Sequence, residues 1–243
     1  MFIQCPRCFY IDRRLGLGRP PGFPFSLNSA VDKLLKTEFD TCRVSKVQHP
    51  IQAGYGIPHL PAINDELENW RENFKGVQVN HKATNLLVFG AIDDLWIDDI
   101  GNHAIVDYKA TSKKDRILEL DQPWHDGYKR QMEIYQWLVR RNGLSVSDVG
   151  YFVYCNGNAQ LSEFDNRLEF ETTLIPYEGD DSWVEPAIVA AHACLNSNSV
   201  PSASNDCDYC LYASTLTEVV ADGALRIEND PSTPVSNSTA RSN

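Results

Sequence analysis

Apolar residues recur at helical spacing in SLNSAVDKLLKTEFD, which predicts a helix opening near Ser26 with Leu27, Val31, Leu34 and Leu35 on one face. Pro20, Pro21, Gly22 and Pro24 form a rigid loop ahead of it. The stretch from Val44 to Asn64 shows no period, and residues 65–74 predict a second helix carrying Trp70 and Phe74. Two strand-like runs follow, NLLVFGAIDDLWI and HAIVDYKA, separated by DDIGN. A helical pattern covers about Gln122 to Asn142 and stops at Gly143. VGYFVYCNG and RLEFETTLI predict two further strands. Ser182 and Glu185 have capping-box spacing before a last helix, WVEPAIVAAHACL. From Ile227 onward the chain is rich in Ser, Pro and Asn and reads as a disordered tail. The expected organisation is one α/β domain over residues 1–226, followed by that tail.

A chain of 243 residues with 42% hydrophobic composition can bury a sizeable core. No apolar run approaches the roughly 18 residues of a membrane span, and MFIQCPRC lacks a signal-peptide core. With seven cysteines, that favours a reducing cytoplasm, where paired cysteines bind metal more often than they form disulfides. The net charge of −11 comes from one region: residues 156–243 hold 14 Asp/Glu against 3 Lys/Arg. The rest is neutral, and its first fifty residues are net positive. The acidic pI therefore leaves a polyanion substrate open.

The most informative segment is GAIDDLWIDDIGNHAIVDYKA. If the turn centres on Ile100, partner numbers sum to 200, so Trp96 faces Ala104, Leu95 faces Ile105 and Asp93 faces Asp107. Opposed like charges repel unless a cation lies between them. Lys109 shares the face of Asp107 by period-2 alternation. Two carboxylates of this kind suit Mg²⁺ or Mn²⁺, and a neighbouring ammonium can position an attacking water. Asp94, Asp98 and Asp99 read instead as surface charges flanking the turn.

Three motifs in order resemble the RecB-like branch of the PD-(D/E)XK nuclease superfamily, which also contains the iron–sulfur nucleases of CRISPR adaptation. They are Gly90-Ala91-Ile92-Asp93, Asp107-Tyr108-Lys109, and Gln131-Met132-Glu133-Ile134-Tyr135. The resemblance implies a restriction-endonuclease-like core, with a mixed central sheet flanked by helices. It also implies a site in which Asp93 and Asp107 hold the metal, Lys109 orients the nucleophile, and Gln131 and Tyr135 line the cleft. The early-helix ligand of that family aligns on Asp32, with Asn28 where the family has glycine and Asp32 where it has histidine. Glu38, on the same helix, competes for that role. His81 reads as structural. Lys129, Arg130, Arg140 and Arg141 are candidate phosphate contacts, which a solvated helix surface explains equally well.

Cys5-Pro6-Arg7-Cys8 and Cys207-Asp208-Tyr209-Cys210 form two CxxC pairs about 200 residues apart, enough for one tetrahedral metal. By resemblance to the family's iron–sulfur members the expected group is a [4Fe–4S] cluster, with structural Zn²⁺ the alternative; those members use one N-terminal and three C-terminal cysteines. The pairs would clasp the two ends of the chain. Cys42, Cys155 and Cys194 read as core thiols, and Arg7, Arg13, Arg14 and Arg19 as a DNA-facing basic patch or solvated surface.

The expected activity is Mg²⁺- or Mn²⁺-dependent, exonuclease-like hydrolysis of DNA, single-stranded or with a free end, in repair, recombination, phage replication or CRISPR adaptation. No P-loop pattern is present, so a helicase or a recombination or CRISPR protein would be the partner. Two other readings stay open: a non-catalytic nucleic-acid-binding subunit on the same fold, and a zinc-stabilised protein-interaction module.

Overall fold

The computed structural model describes residues 1–22 and 26–221, so the expected tail at 227–243 and Pro24 of the expected loop lie outside the described residues. In chain order the elements are α1 (Pro6–Leu15), α2 (Ser26–Ser45), α3 (Pro50–Gly54), β1 (Leu60–Pro61), α4 (Leu67–Trp70), β2 (Val77–His81), β3 (Leu86–Gly90), β4 (Asp94–Ile97) and β5 (His103–Thr111). A 3-10 turn (Pro123–His125) leads into α5 (Asp126–Arg141), followed by β6 (Val149–Gly157), β7 (Phe170–Glu178), α6 (Val184–Leu195) and α7 (Asp208–Ala221). They divide into two compact units: residues 21–193, and a smaller one built from residues 1–20 and from residue 194 onward.

The larger unit carries a five-stranded sheet in the order β1-β4-β5-β6-β7 and a separate β2-β3 hairpin. β5 and β6 are parallel and the other sheet pairs antiparallel, so the sheet is mixed. A parallel pair needs a crossover, and α5 supplies it. Side chains alternate across the strands. Leu95, Ile105, Phe152 and Ile175 enter one core with Met132, Tyr135 and Leu138 of α5. Trp96, Ala104, Val106, Tyr108 and Val153 enter the other with Phe39, Val31 and Leu35 of α2. Helices on both faces explain why β5 and β6 read as nearly continuous apolar runs. This is a restriction-endonuclease-like arrangement.

The β4–β5 register is the expected one, with Leu95 paired to Ile105 and Trp96 to Ala104. Other expectations need correction. The run Asn85–Ile97 is not one strand: it breaks after Gly90, and Asp93 lies just ahead of β4. Leu27 and Leu34 of α2 are exposed; Phe39, with Val31 and Leu35, makes the packed face instead. The stretch 44–64 contains α3 and β1, and the helix at 65–74 shortens to one turn that buries Trp70 and leaves Phe74 exposed. Asp180, not Ser182, caps the turn before α6, accepting from the Ser182 N–H at 2.9 Å. Glu185 instead meets His81 Nε2 at 2.6 Å, and Thr84 meets the other ring nitrogen at 2.7 Å, a structural tie as expected for His81.

Candidate active site and cysteine centre

The break in the β3–β4 chain is what turns Asp93 toward β5. Asp93 Oδ2 accepts the Tyr108 backbone N–H at 2.8 Å, and Arg71 donates to the Asp93 carbonyl at 2.9 Å. Gly90 is required by packing: a Cβ there would lie 2.7 Å from Cε1 of Tyr135. The glycine of the first motif thus seats the tyrosine of the third. On β5, Lys109 Nζ lies 2.5 Å from Asp107 Oδ2 and donates to Gln131 Oε1 at 3.1 Å. Gln131 Nε2 in turn donates to the Tyr135 hydroxyl at 2.7 Å. The Lys109 ammonium also sits 4.5 Å from the centre of the Tyr128 ring, within cation–π range. One end of β5 and one face of α5 therefore gather Asp107, Lys109, Gln131 and Tyr135.

The electrostatics of the pair follow from burial. Burial and the Asp107 charge push the Asp93 carboxyl up to about 7, against the pull of Lys36 and the Tyr108 N–H. Burial likewise raises Asp107, although Lys109 opposes it. Asp107 is buried, and the Lys109 ammonium is the partner of its Oδ2. Two buried carboxylates whose pKa values are raised in this way gain from a further cation, and such oxygen donors fit a divalent ion of the Mg²⁺ or Mn²⁺ kind. Asp32 faces the pair from α2 and adds to the repulsion on both acids. Glu38 does not, because it is engaged by His49 Nε2 at 3.2 Å. Asn28 donates to the Ala110 carbonyl at 2.8 Å, tying the start of α2 to the end of β5.

One residue of the site escaped the motif analysis. Lys36 Nζ bridges Asp32 Oδ2 at 2.9 Å and Asp93 Oδ1 at 3.3 Å. Its i,i+4 spacing from Asp32 was the only signal available. Asp94, expected at the surface, is fully buried: Arg43 and Arg71 pair with it, and the Tyr108 hydroxyl donates to it at 2.7 Å. Arg140 and Arg141 are held by Asp148, Asp181 and Glu185, so they brace the far end of α5.

In the smaller unit, among the described residues, Cys5, Cys8, Cys207 and Cys210 are the one group of three or more His, Cys, Asp or Glu whose ligand atoms all lie within 4.8 Å of one another. Sulfur separations are 3.7 Å for Cys5–Cys210, 3.6 Å for Cys8–Cys207 and 3.5 Å for Cys8–Cys210. Despite burial, backbone N–H donors at Ser204 and Cys8 bring the Cys5 thiol down to about 6, whereas burial raises Cys8 and Cys210. Such a donor set fits a thiophilic metal. The four arginines expected to form a DNA-facing patch or solvated surface all have local partners, Arg13 pairing with Asp12 at 3.0 Å. Arg7 donates to the Pro201 carbonyl at 3.0 Å, Arg14 to Leu195, and Arg19 to Cys207 Sγ at 3.7 Å. Cys155 is buried as expected, whereas Cys42 and Cys194 are only partly so.

A family model described as the PD-(D/E)XK nuclease superfamily matches residues 1–215. The chain belongs to that superfamily. Membership brings with it phosphodiester hydrolysis, a nucleic-acid substrate and a divalent metal as the usual cofactor. No curated protein matches the chain. Among the described residues, no helix is long and apolar enough to cross a membrane.

Proposed function

We propose that this superfamily member is an active, Mg²⁺- or Mn²⁺-dependent deoxyribonuclease of the RecB-like branch. The observation that carries the reading is Asp107: it is buried, its Oδ2 meets the Lys109 ammonium at 2.5 Å, and it neighbours an Asp93 carboxyl that burial and the Asp107 charge push up to about 7. A vestigial binding subunit would have no reason to keep that cost. Asp93 and Asp107 would hold the metal, with Asp32 reaching it directly or through water. When bound, the ion polarises the scissile phosphate and lowers the pKa of a coordinated water. Lys109 orients the attacking water and stabilises charge building on the phosphoryl oxygens as the P–O bond to the leaving group breaks. Gln131 holds Lys109, and Tyr135 holds Gln131.

Single-stranded DNA or a free end is the substrate we favour. Trp124 is 59% exposed in the turn before α5, one helical turn ahead of Tyr128, and Lys113 Nζ lies 6.0 Å from its ring centre. The buried Asn156 side chain clamps both the N–H and the carbonyl of Lys113, at 2.7 and 3.0 Å. An ammonium carried on a fixed backbone position beside an exposed indole suits an unpaired base and its phosphate. Exonuclease-like work in repair, recombination, phage replication or CRISPR adaptation, beside a helicase or other partner that supplies the strand, agrees with this.

For the cysteine centre we favour one tetrahedral Zn²⁺ over a [4Fe–4S] cluster. Zn–S bonds of about 2.3 Å give a sulfur–sulfur edge of about 3.8 Å, close to the 3.5–3.7 Å of three of the six sulfur pairs, all of which lie within 4.8 Å. In a four-iron cluster each thiolate sits on its own iron, which spreads the sulfurs further.

The test is cleavage of end-labelled DNA, single- and double-stranded, with Mn²⁺ and with EDTA. Lys109→Ala should lower the rate at least about a hundredfold while the fold and Mn²⁺ binding persist. Undiminished cleavage by this variant would sink the assignment. Absence of cleavage by wild type, with retained DNA binding, would favour the non-catalytic subunit.

A further inference from the structure

The placement of Lys36 has no role in the chemistry described above, yet its ammonium lies between two carboxylates of the same cluster. An exposed i,i+4 pair such as Lys36–Asp32 normally points into solvent and contributes little. Here the pair turns inward. Lys36 keeps only 21% of its side-chain exposure and reaches Asp93, 57 positions away in the chain, as well as Asp32. The neighbouring Leu35 packs into the core between α2 and the sheet, so the helix face bearing Lys36 is fixed.

We propose that Lys36 is a built-in cation: it fills the position a second divalent ion would take, and leaves the site to a single Mg²⁺ or Mn²⁺. This rests on the metal-dependent reading of Asp93 and Asp107. Two-metal phosphodiesterases place their ions about 3.5–4 Å apart and share a carboxylate between them. The carboxylate available for sharing here is Asp93, and both its oxygens already have partners: Oδ2 takes the Tyr108 N–H and Oδ1 takes Lys36. Charge points the same way. Asp32, Asp93 and Asp107 against Lys36 and Lys109 leave one negative charge. One divalent ion converts that to one positive charge, which matches a single phosphodiester. A second would leave an excess of three positive charges, with no further acid to absorb it.

Mn²⁺ titration calorimetry and electron paramagnetic resonance on the protein as purified, its cysteine centre loaded, separate the possibilities. Wild type should bind one Mn²⁺ per chain and show no exchange-coupled Mn²⁺ pair. Lys36→Met should bind a second Mn²⁺ and show the coupled signal, and its lowered cleavage should recover as Mn²⁺ is raised by about tenfold. Lys36→Arg should keep one ion. Two Mn²⁺ in wild type, or one of unchanged affinity in a folded Lys36→Met, overturns the proposal. If Lys36→Met does not fold, the wild-type stoichiometry alone decides. EDTA-sensitive cleavage lost in Asp107→Asn judges the parent reading separately. If wild type takes up no Mn²⁺ and cleaves in EDTA, both readings fall together.

Discussion

Asp93 does two things that a typical aspartate does not: it holds a proton near neutrality and it anchors the turn into β4. Burial first, and the Asp107 charge second, put its carboxyl near 7. A raised acid pKa means that the folded state holds the proton more tightly than the unfolded chain, so this group's contribution to stability is greatest at low pH and is lost as pH rises from about 4 through about 7. Metal binding has the opposite slope, because only the carboxylate coordinates. Below about 7, Mn²⁺ affinity should climb by up to about tenfold per pH unit and then level off. Calorimetric titrations across that range would show it. A flat profile would mean that Asp93 is not a ligand. Asp107 and Lys109 share a face by strand alternation, which is legible in the sequence, whereas Asp93 lies just ahead of β4 and Asp32 was named only by resemblance. Lys36 was not legible, since an i,i+4 pair is the same string of letters whether it faces solvent or an active site.

At the scale of elements, the strands and α5 were readable because they are long, apolar and periodic, and β6 has the very bounds its sequence suggests. What the pattern did not show was α1, α3, β1, β2 and α7, the shortening of α4 to one turn, and the break after Gly90. That break depends on contacts far along the chain, with Tyr135 filling the space where a Cβ at Gly90 would go. Gly90→Ala should therefore displace the Tyr135 ring and, through Gln131, loosen Lys109. A stability loss of about 1–3 kcal/mol in urea melts is expected, with a larger relative loss of cleavage rate. Asp94 was misjudged for a related reason: sequence alone could not show Arg43 and Arg71 converging on it. Asp94→Asn leaves two guanidiniums under-compensated in a buried setting and should cost about 3–5 kcal/mol, measurable as a drop in the midpoint of unfolding.

For the whole molecule, the two units separate the candidate nuclease residues from the four cysteines. The nuclease residues all lie in residues 21–193, while the four cysteines belong to the other unit. Removing the cysteine metal with a strong chelator, or making Cys207→Ser, should melt the smaller unit at a temperature below that of the untreated protein, because the site holds together sulfurs 199 and 202 residues apart in the chain. Zinc or iron analysis of colourless or brown protein would identify the ion. The pairing of CxxC motifs was plain in the sequence; the identity of the metal was not, since four thiolates serve both and only their spacing distinguishes them.

That division also sets an order of events during synthesis. The larger unit is one continuous stretch and can close as soon as residue 193 is clear of the ribosome. The smaller unit must wait: Cys5 and Cys8 emerge first and stay without their partners until Cys207 and Cys210 follow. At about 5–20 residues per second, that is a delay on the order of ten to forty seconds, during which two thiols are open to oxidation or to the wrong metal. Loading of the cysteine centre thus reports that translation has passed residue 210, and a ribosome stalled earlier would release a nuclease core whose first CxxC remains unpaired.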